Sequence, residues 1–421
     1  MKTNKIRYTV FIIVLCIVSL AVFQFNKGGR MSDNWVAPYL SCARNLSIGG
    51  DFLINLQEVK HFQNLNADEQ DNYKFKKENN LIPYKANPIG FAYFIKIATT
   101  LFFFLGDENA LFLFHFLIHL SLCLLLMKYI KSTRIQILFF IFYACNPFIL
   151  RYVIFNFYYI YQVIPSFILL FMLYKKPLPY FLTMLSAVLL ALVFLTRPTV
   201  LLLIFIISFY LYYHYGWKKF LVYASVFFLI FIVINRPNEK NPWFTAYVGL
   251  GAYDNKYVNK LSDNAAYDLY KKETGKPISA SVGGNYYDDS TIIVFREILK
   301  NRWVNIFQSN PFYIIRNAAL NFFSAFSIGY LSFANLSFKI IIACSGLFIF
   351  LWLIVKRKFK WIIIISFASL GFTPYYPPIP AYMFGSYILL FFALYELLKT
   401  TKFEKYLESS YDKRVETGFI Y

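Results

Sequence analysis

The stretch YTVFIIVLCIVSLAVFQF, residues 8–25, carries no charge and follows directly on Lys2, Lys5 and Arg7. As a helix, a run of that length reaches across the hydrocarbon core of a bilayer. Its basic start resembles a signal peptide. The apolar run is long, however, and no small-x-small cleavage site follows, so it is expected to stay as an uncleaved first span. Comparable runs recur to the end of the chain. Of 421 residues, 58% are hydrophobic, 21% aromatic and only 15% charged, a balance that a soluble domain has too little interior to hide. The expected fold class is therefore an all-α polytopic membrane protein.

The basic residues orient it. Lys and Arg outnumber Asp and Glu by 42 to 22, which would suit nucleic acid, yet they gather in knots between apolar runs. These knots are Lys128, Lys131 and Arg134; Lys175 and Lys176; Lys218 and Lys219; Lys356, Arg357, Lys358 and Lys360; and Lys399, Lys402 and Lys405. Cytoplasmic loops collect such charge, and no nucleic-acid recognition module is present. With the N-terminus inside, about ten spans near 8–25, 109–127, 135–150, 153–173, 178–195, 198–216, 219–235, 336–355, 361–374 and 380–398 put every knot on the cytoplasmic side. Counting Pro88–Leu105 as a further span would turn the knots from Lys128 to Lys219 outward. It is expected instead as a helix in the outer interface, with Lys96 snorkelling. Pro311–Phe333 is expected to behave likewise.

The chain then divides into four parts. Residues 1–235 form a membrane module whose first extracytoplasmic loop is 26–109. A second extracytoplasmic region, 236–333, precedes the last membrane helices (334–398) and a cytoplasmic tail (399–421). Neither outer region contains a phosphate-binding glycine loop. Cys16, Cys123, Cys145 and Cys344 lie in apolar runs and Cys42 in a loop, with no disulfide or metal-ligand spacing. His115 and His119 stand one turn apart but have no carboxylate or cysteine to complete a site, so packing or interhelical hydrogen bonding is expected of them.

Chemistry concentrates just after the first span. Asp33 precedes Trp35, Tyr39, Cys42 and Leu46 at helical spacing, which predicts an amphipathic helix lying at the headgroup level. Asp33 could cap that helix or act as a general base; spacing alone leaves both open. Arg197 and Arg151 each stand at an outer turn between apolar runs. An arginine there snorkels to lipid phosphate or serves a dedicated anion site. Lys85, beside Tyr84, is a further phosphate candidate. Other acids compete: Asp51 beyond the Gly49-Gly50 break, and Asp107 and Glu108 at the outer mouth of span two. Glu58, Asp68, Glu69 and Asp71 are read as solvated surface, and Asp254, Asp263 and the pair Asp288-Asp289 as turn residues, with a cation or acceptor the alternative for that pair.

The order of these features resembles the GT-C superfamily of integral-membrane glycosyltransferases, including the polyprenyl-phosphate-dependent mannosyl- and aminoarabinose transferases. The resemblance lies in the acid after span one and the Tyr39…Ala43-Arg44-Asn45-Leu46…Gly49-Gly50 segment. It extends to Tyr84-Lys-Ala-Asn87-Pro88-Ile-Gly90, Leu195-Thr196-Arg197-Pro198 and Tyr375-Tyr376-Pro377-Pro378-Ile-Pro380-Ala-Tyr382. It covers about the first 220 residues and the late proline-rich segment. The chain departs from the family in having Asn34 where many members have a second acid, and Ala86-Asn87-Pro88 where some have His-Pro-Pro.

The resemblance implies that Asp33 is the catalytic base, and that Arg197, Arg151, Lys85, Tyr84 and Tyr376 contact substrate. The donor would be a polyprenyl-phosphate-linked sugar, with no further cofactor. The acceptor would be a lipid, glycan or protein on the outer face of a membrane, by preference the bacterial inner membrane. A monophosphate carrier has no diphosphate for a metal to hold, so no obligatory ion is expected. The competing expectations are a polymerase or ligase of lipid-linked glycans, and a transporter or flippase, which would carry its polar groups at midplane.

Overall fold

The computed structural model describes residues 2–26, 36–84, 88–130, 132–174, 178–235 and 241–398. They are helical nearly throughout; the described strands form one small antiparallel pair, Leu53–Ile54 with Ile82–Pro83. Among the described residues, six helices are long and apolar enough to cross a membrane: Tyr8–Phe25, Asp107–Lys128, Pro198–Tyr215, Trp217–Ile234, Leu336–Val355 and Pro380–Leu398. This is the architecture of an integral membrane protein. Many of their apolar side chains point outward, among them Ile17, Phe209, Ile232 and Phe348, as lipid-facing surfaces require.

The predicted span over 135–150 is broken. Thr133–Ala144 and Pro147–Val153 meet at a bend of 56°. Proline supplies no N–H to continue the ladder and disfavours a helical residue before it. Asn146 caps the second piece, its Oδ1 accepting from the Phe148 N–H at 2.9 Å while its amide donates to the Phe142 carbonyl at 3.0 Å. A turn of π-helix over Phe140–Ala144 precedes the break. The next predicted span, 153–173, begins late: Tyr158–Gln162 is 3-10 helix and only Val163–Tyr174 is α-helix.

Two of the expected interfacial helices bury much of their surface against the rest of the protein. Ala37–Asn45 buries Ala37 to Ala43 without interruption, under the Ile89–Leu101 helix and the 53–63 segment. Val36 takes its cap position without a side-chain cap. Ile89–Leu101 lies against Tyr180–Thr196, where a Cβ on Gly90 would stand 2.1 Å from the Leu192 carbonyl oxygen. Lys96 does not reach outward but donates to the Leu46 carbonyl. Pro311–Ser324 is inverted: Asn317, Asn321 and Ser324 are buried, while Phe312 and Ile315 are exposed. Its polar side is satisfied inside, with Asn321 accepting from the Tyr253 hydroxyl at 3.0 Å and donating to the Thr373 carbonyl at 3.2 Å.

One apolar core runs through the bundle, and a second, around Tyr247, Phe295 and Leu299, holds the helices Pro242–Gly249, Asp263–Thr274 and Asp289–Ser309 together. Polar crossings lock the last helix into the bundle. Gln162 donates to the Ala381 carbonyl at 2.9 Å and Ser166 to the Gly385 carbonyl at 2.6 Å. A Cβ on Gly385 would come within 2.2 Å of the Gln162 carbonyl oxygen, so only glycine permits that approach.

Candidate functional site

Tyr180–Thr196 ends because Pro198 follows, and Arg197 takes an extended conformation between it and the 3-10 turn Pro198–Val200. The guanidinium folds back into the protein and is only 8% exposed. Its Nη1 donates to the Tyr158 hydroxyl at 2.8 Å, and its carbon stands 3.8 Å from the centre of the Tyr382 ring. Nε has no hydrogen-bond partner. Among the described residues no carboxylate pairs with it.

That arrangement is unusual on energetic grounds. A buried cation is costly unless an opposite charge or several hydrogen bonds compensate it, and aromatic faces offset part of the cost. Here tyrosines supply what compensation there is, and a planar, permanently charged group is left able to accept an anion.

The surrounding tyrosines are half-buried, so the cation lies beneath a layer of rings that is itself partly exposed. Tyr376 packs on Tyr382 at 5.0 Å and Tyr158 on Tyr159 at 5.3 Å. Burial pushes the Tyr376 hydroxyl well up; Tyr382 and the Asp263 carboxylate add to the shift, and Arg197 opposes it. Asp263, exposed in the first turn of Asp263–Thr274, thus lies within electrostatic reach of Tyr376. Desolvation by the surrounding protein raises its own carboxyl above the ordinary range.

Of the residues expected to act, Arg197 and Tyr376 are brought together through Tyr382. Arg151 is exposed in the last turn of Pro147–Val153. Tyr84 is buried edge-on to Tyr39 at 6.1 Å, and Tyr39 meets Phe157, whose ring stacks on Tyr158. It is thereby linked to the tyrosine cluster through Tyr39 and Phe157. Asp33 and Lys85 lie outside the described residues. Tyr158, Tyr159 and Asp263 were not anticipated as site residues. The run Phe155-Asn-Phe-Tyr158-Tyr159-Ile-Tyr161, just beyond the Asn146-Pro147 break, was the available signal for the first two.

Several other polar residues are structural. Glu108 accepts from Asn156 at 2.8 Å. His115 contacts the Tyr161 hydroxyl at 2.9 Å and His119 the Ala144 carbonyl at 3.0 Å, the interhelical bonding expected of them. No group of three or more His, Cys, Asp or Glu side chains suited to a metal occurs among the described residues.

Glu58 accepts from the Lys76 N–H at 2.8 Å and the Tyr73 hydroxyl at 3.3 Å, while its Oε2 is buried without a partner. Desolvation raises its carboxyl, and burial together with Glu58 pushes Tyr73 up to about 12. Between the ordinary glutamate range and the raised value, the folded chain binds more protons than the unfolded one, so stability falls as pH rises through that window. Glu58→Gln is expected to remove this fall. Thermal midpoints measured from pH 4 to pH 8 check it; equal slopes in both proteins would contradict it.

No protein-family model, no curated protein and no solved structure matches the chain.

Proposed function

We propose that this chain is a membrane glycosyltransferase of GT-C type. It moves one sugar from a polyprenyl-phosphate carrier to a lipid, glycan or protein acceptor on the extracytoplasmic face. The observation that carries the proposal is the buried Arg197 guanidinium, which has tyrosines around it and no carboxylate among the described residues. Such a group suits the phosphate of a leaving carrier.

Ten crossings follow if the six long helices are joined by the bent pair as one span and by the short helices Tyr158–Tyr174, Tyr180–Thr196 and Phe359–Leu370. Arg151, Arg197 and the second region then share the outer side, and the basic knots share the inner one. Short helices of this kind are accommodated by local thinning of the bilayer.

In the reaction, the Asp33 carboxylate takes the proton of an acceptor hydroxyl as its oxygen attacks the anomeric carbon. The bond from that carbon to the phosphate oxygen breaks, and the carrier leaves with the electron pair. Arg197 stabilises the negative charge that accumulates there. Asp33→Asn and Asp33→Ala are expected to lower transfer by about 10²–10⁴-fold, the usual worth of a general base, without loss of donor binding. Release of free carrier from a labelled polyprenyl-phosphate sugar is the measurement. Full activity in both variants would remove Asp33 from the mechanism.

A further inference from the structure

Between Arg316 and Lys339 the sequence holds no charged residue, yet asparagine, serine and glycine interrupt it and no single long helix forms. Pro311–Ser324 is helical, residues 325–335 turn back, and Leu336–Val355 then begins. The two helices pack side by side.

Their contacts fix a depth. Gly346 stands ten residues into Leu336–Val355, about 15 Å from its start at the helical rise, or roughly half the hydrocarbon thickness of a bilayer. A Cβ there would lie 1.8 Å from the Phe323 carbonyl oxygen. The Ser327 and Ser345 hydroxyls share a hydrogen bond at 2.7 Å, and the Phe326 ring meets that of Phe350 at 5.2 Å. The turn after Ser324 therefore sits level with the middle of a membrane-spanning helix.

Non-helical backbone at that level needs partners from the protein, since hydrocarbon offers none. They are present. The Gly329 N–H donates to the Ser324 carbonyl at 3.1 Å and the Tyr330 N–H to the Pro378 carbonyl at 2.8 Å. The Ile328 carbonyl accepts from the Tyr387 hydroxyl at 2.9 Å.

The polarity of the segment agrees with its depth. Asn317, Asn321, Ser324 and Ser327 face the protein, whereas Phe312, Ile315, Ile328 and Phe333 are exposed. In water that pattern is inside out; against hydrocarbon it is the favourable one. The neighbouring span exposes Ile341 and Phe348 at depths that bracket the turn. Two cations mark the headgroup level. Exposed Arg316 lies about 12 Å before the end of its helix at the helical rise. Lys339, in the first turn of the span, reaches back to the Ala252 carbonyl at 3.1 Å.

We infer that residues 311–335 form a re-entrant hairpin that enters the bilayer beside Leu336–Val355, turns near its middle and returns to the same side. Its apolar face, Phe312, Ile315, Ile328 and Phe333, is a docking surface for the acyl chains of one leaflet. The second region, expected over 236–333, then leaves the aqueous phase near residue 310. The hairpin stands whether or not the chain transfers sugar.

The test uses the full wild-type chain in phosphatidylcholine nanodiscs, a fraction of whose lipid carries a photoreactive group at mid-chain. Cross-links are expected on Ile328 and Phe333 at a yield within about twofold of those on Ile341 and Phe348, as a shared hydrocarbon environment implies, and none on the exposed helix Asp263–Thr274. Moving the photoreactive group to the lipid headgroup should shift labelling to Phe312 and Arg316. In a second measurement, Ile328→Cys should react with a charged, membrane-impermeant maleimide about 100-fold more slowly than Lys272→Cys, because the reactive thiolate is disfavoured in hydrocarbon.

Absence of lipid cross-links on Ile328 and Phe333 would overturn the inference, as would equal maleimide rates at the two cysteines. So would cross-links from these residues to a second copy of the chain in place of lipid. The wild-type map decides even if Ile328→Cys fails to fold.

Discussion

Arg197→Met is expected to lower sugar transfer by about 10²–10³-fold, the cost of removing one preorganised charge partner from a developing anion, while the thermal midpoint stays level or rises. The two expectations together are what distinguish an anion site from a brace. A buried arginine that held the fold would be paired, and removing it would strand its partner. This guanidinium instead keeps an unpartnered Nε, with a tyrosine hydroxyl as its hydrogen-bond partner and the Tyr382 face against it. Replacing buried charge by an apolar side chain of similar reach is commonly neutral or stabilising.

Arg197→Lys should recover little of the lost activity, because an ammonium keeps the charge but neither the planar fork nor the stacking on Tyr382. Turnover of a labelled polyprenyl-phosphate sugar and a melting curve in detergent are the two measurements. A large fall in midpoint with transfer preserved would make Arg197 structural and remove the main support for the proposed function.

Asp107→Ala is expected to show the reverse, a loss of about 1–3 kcal/mol in stability, the range for removing one partner from a partly buried, charge-assisted hydrogen-bond set. Asp107 opens the Asp107–Tyr129 helix and is 1% exposed. Its carboxylate accepts from both sides of the Arg44 guanidinium, from Nε at 3.2 Å and from Nη2. It also accepts the Phe75 N–H at 2.9 Å, and its own N–H donates to the Tyr73 carbonyl at 2.8 Å.

One side chain thus ties the end of Ala37–Asn45, the 73–75 segment and the start of a membrane-spanning helix to each other. Its removal leaves Arg44 without that partner and the Phe75 N–H without an acceptor. Unfolding followed by proteolysis or by intrinsic fluorescence in detergent checks this. An Asp107→Ala protein that melts with the wild type would show that the packing of Ala37–Asn45 suffices without the ion pair.

These residues also show what a sequence can and cannot disclose. Membrane-spanning length is written into residues 8–25, 336–355 and 380–398, because a bilayer demands a fixed number of apolar residues in a row. Arg197 was legible for a related reason: a cation is conspicuous in an apolar hairpin. Tyr158 and Tyr382 were not, since 35 tyrosines look alike until packing selects the two that meet the guanidinium. The Asn146-Pro147 pair marked the break, but hydropathy averages across it and returned one continuous span. Ala37–Asn45 was legible as a helix and misjudged in depth. Its cover comes from Ile89–Leu101 and from the 53–63 segment, and no local pattern in 37–45 announces them.

The crossings at Gln162 and Ser166 bear on how the chain is made. Each donates to a carbonyl 219 residues further along, on a helix that leaves the ribosome much later. Until then a glutamine amide and a serine hydroxyl sit in the nascent bundle without those acceptors, and the bent pair has no Pro380–Leu398 to close against. That helix therefore works as a keystone, and its arrival is the event that seals the middle of the bundle. A chain stalled before residue 380 would leave those two polar groups without these acceptors inside the bundle.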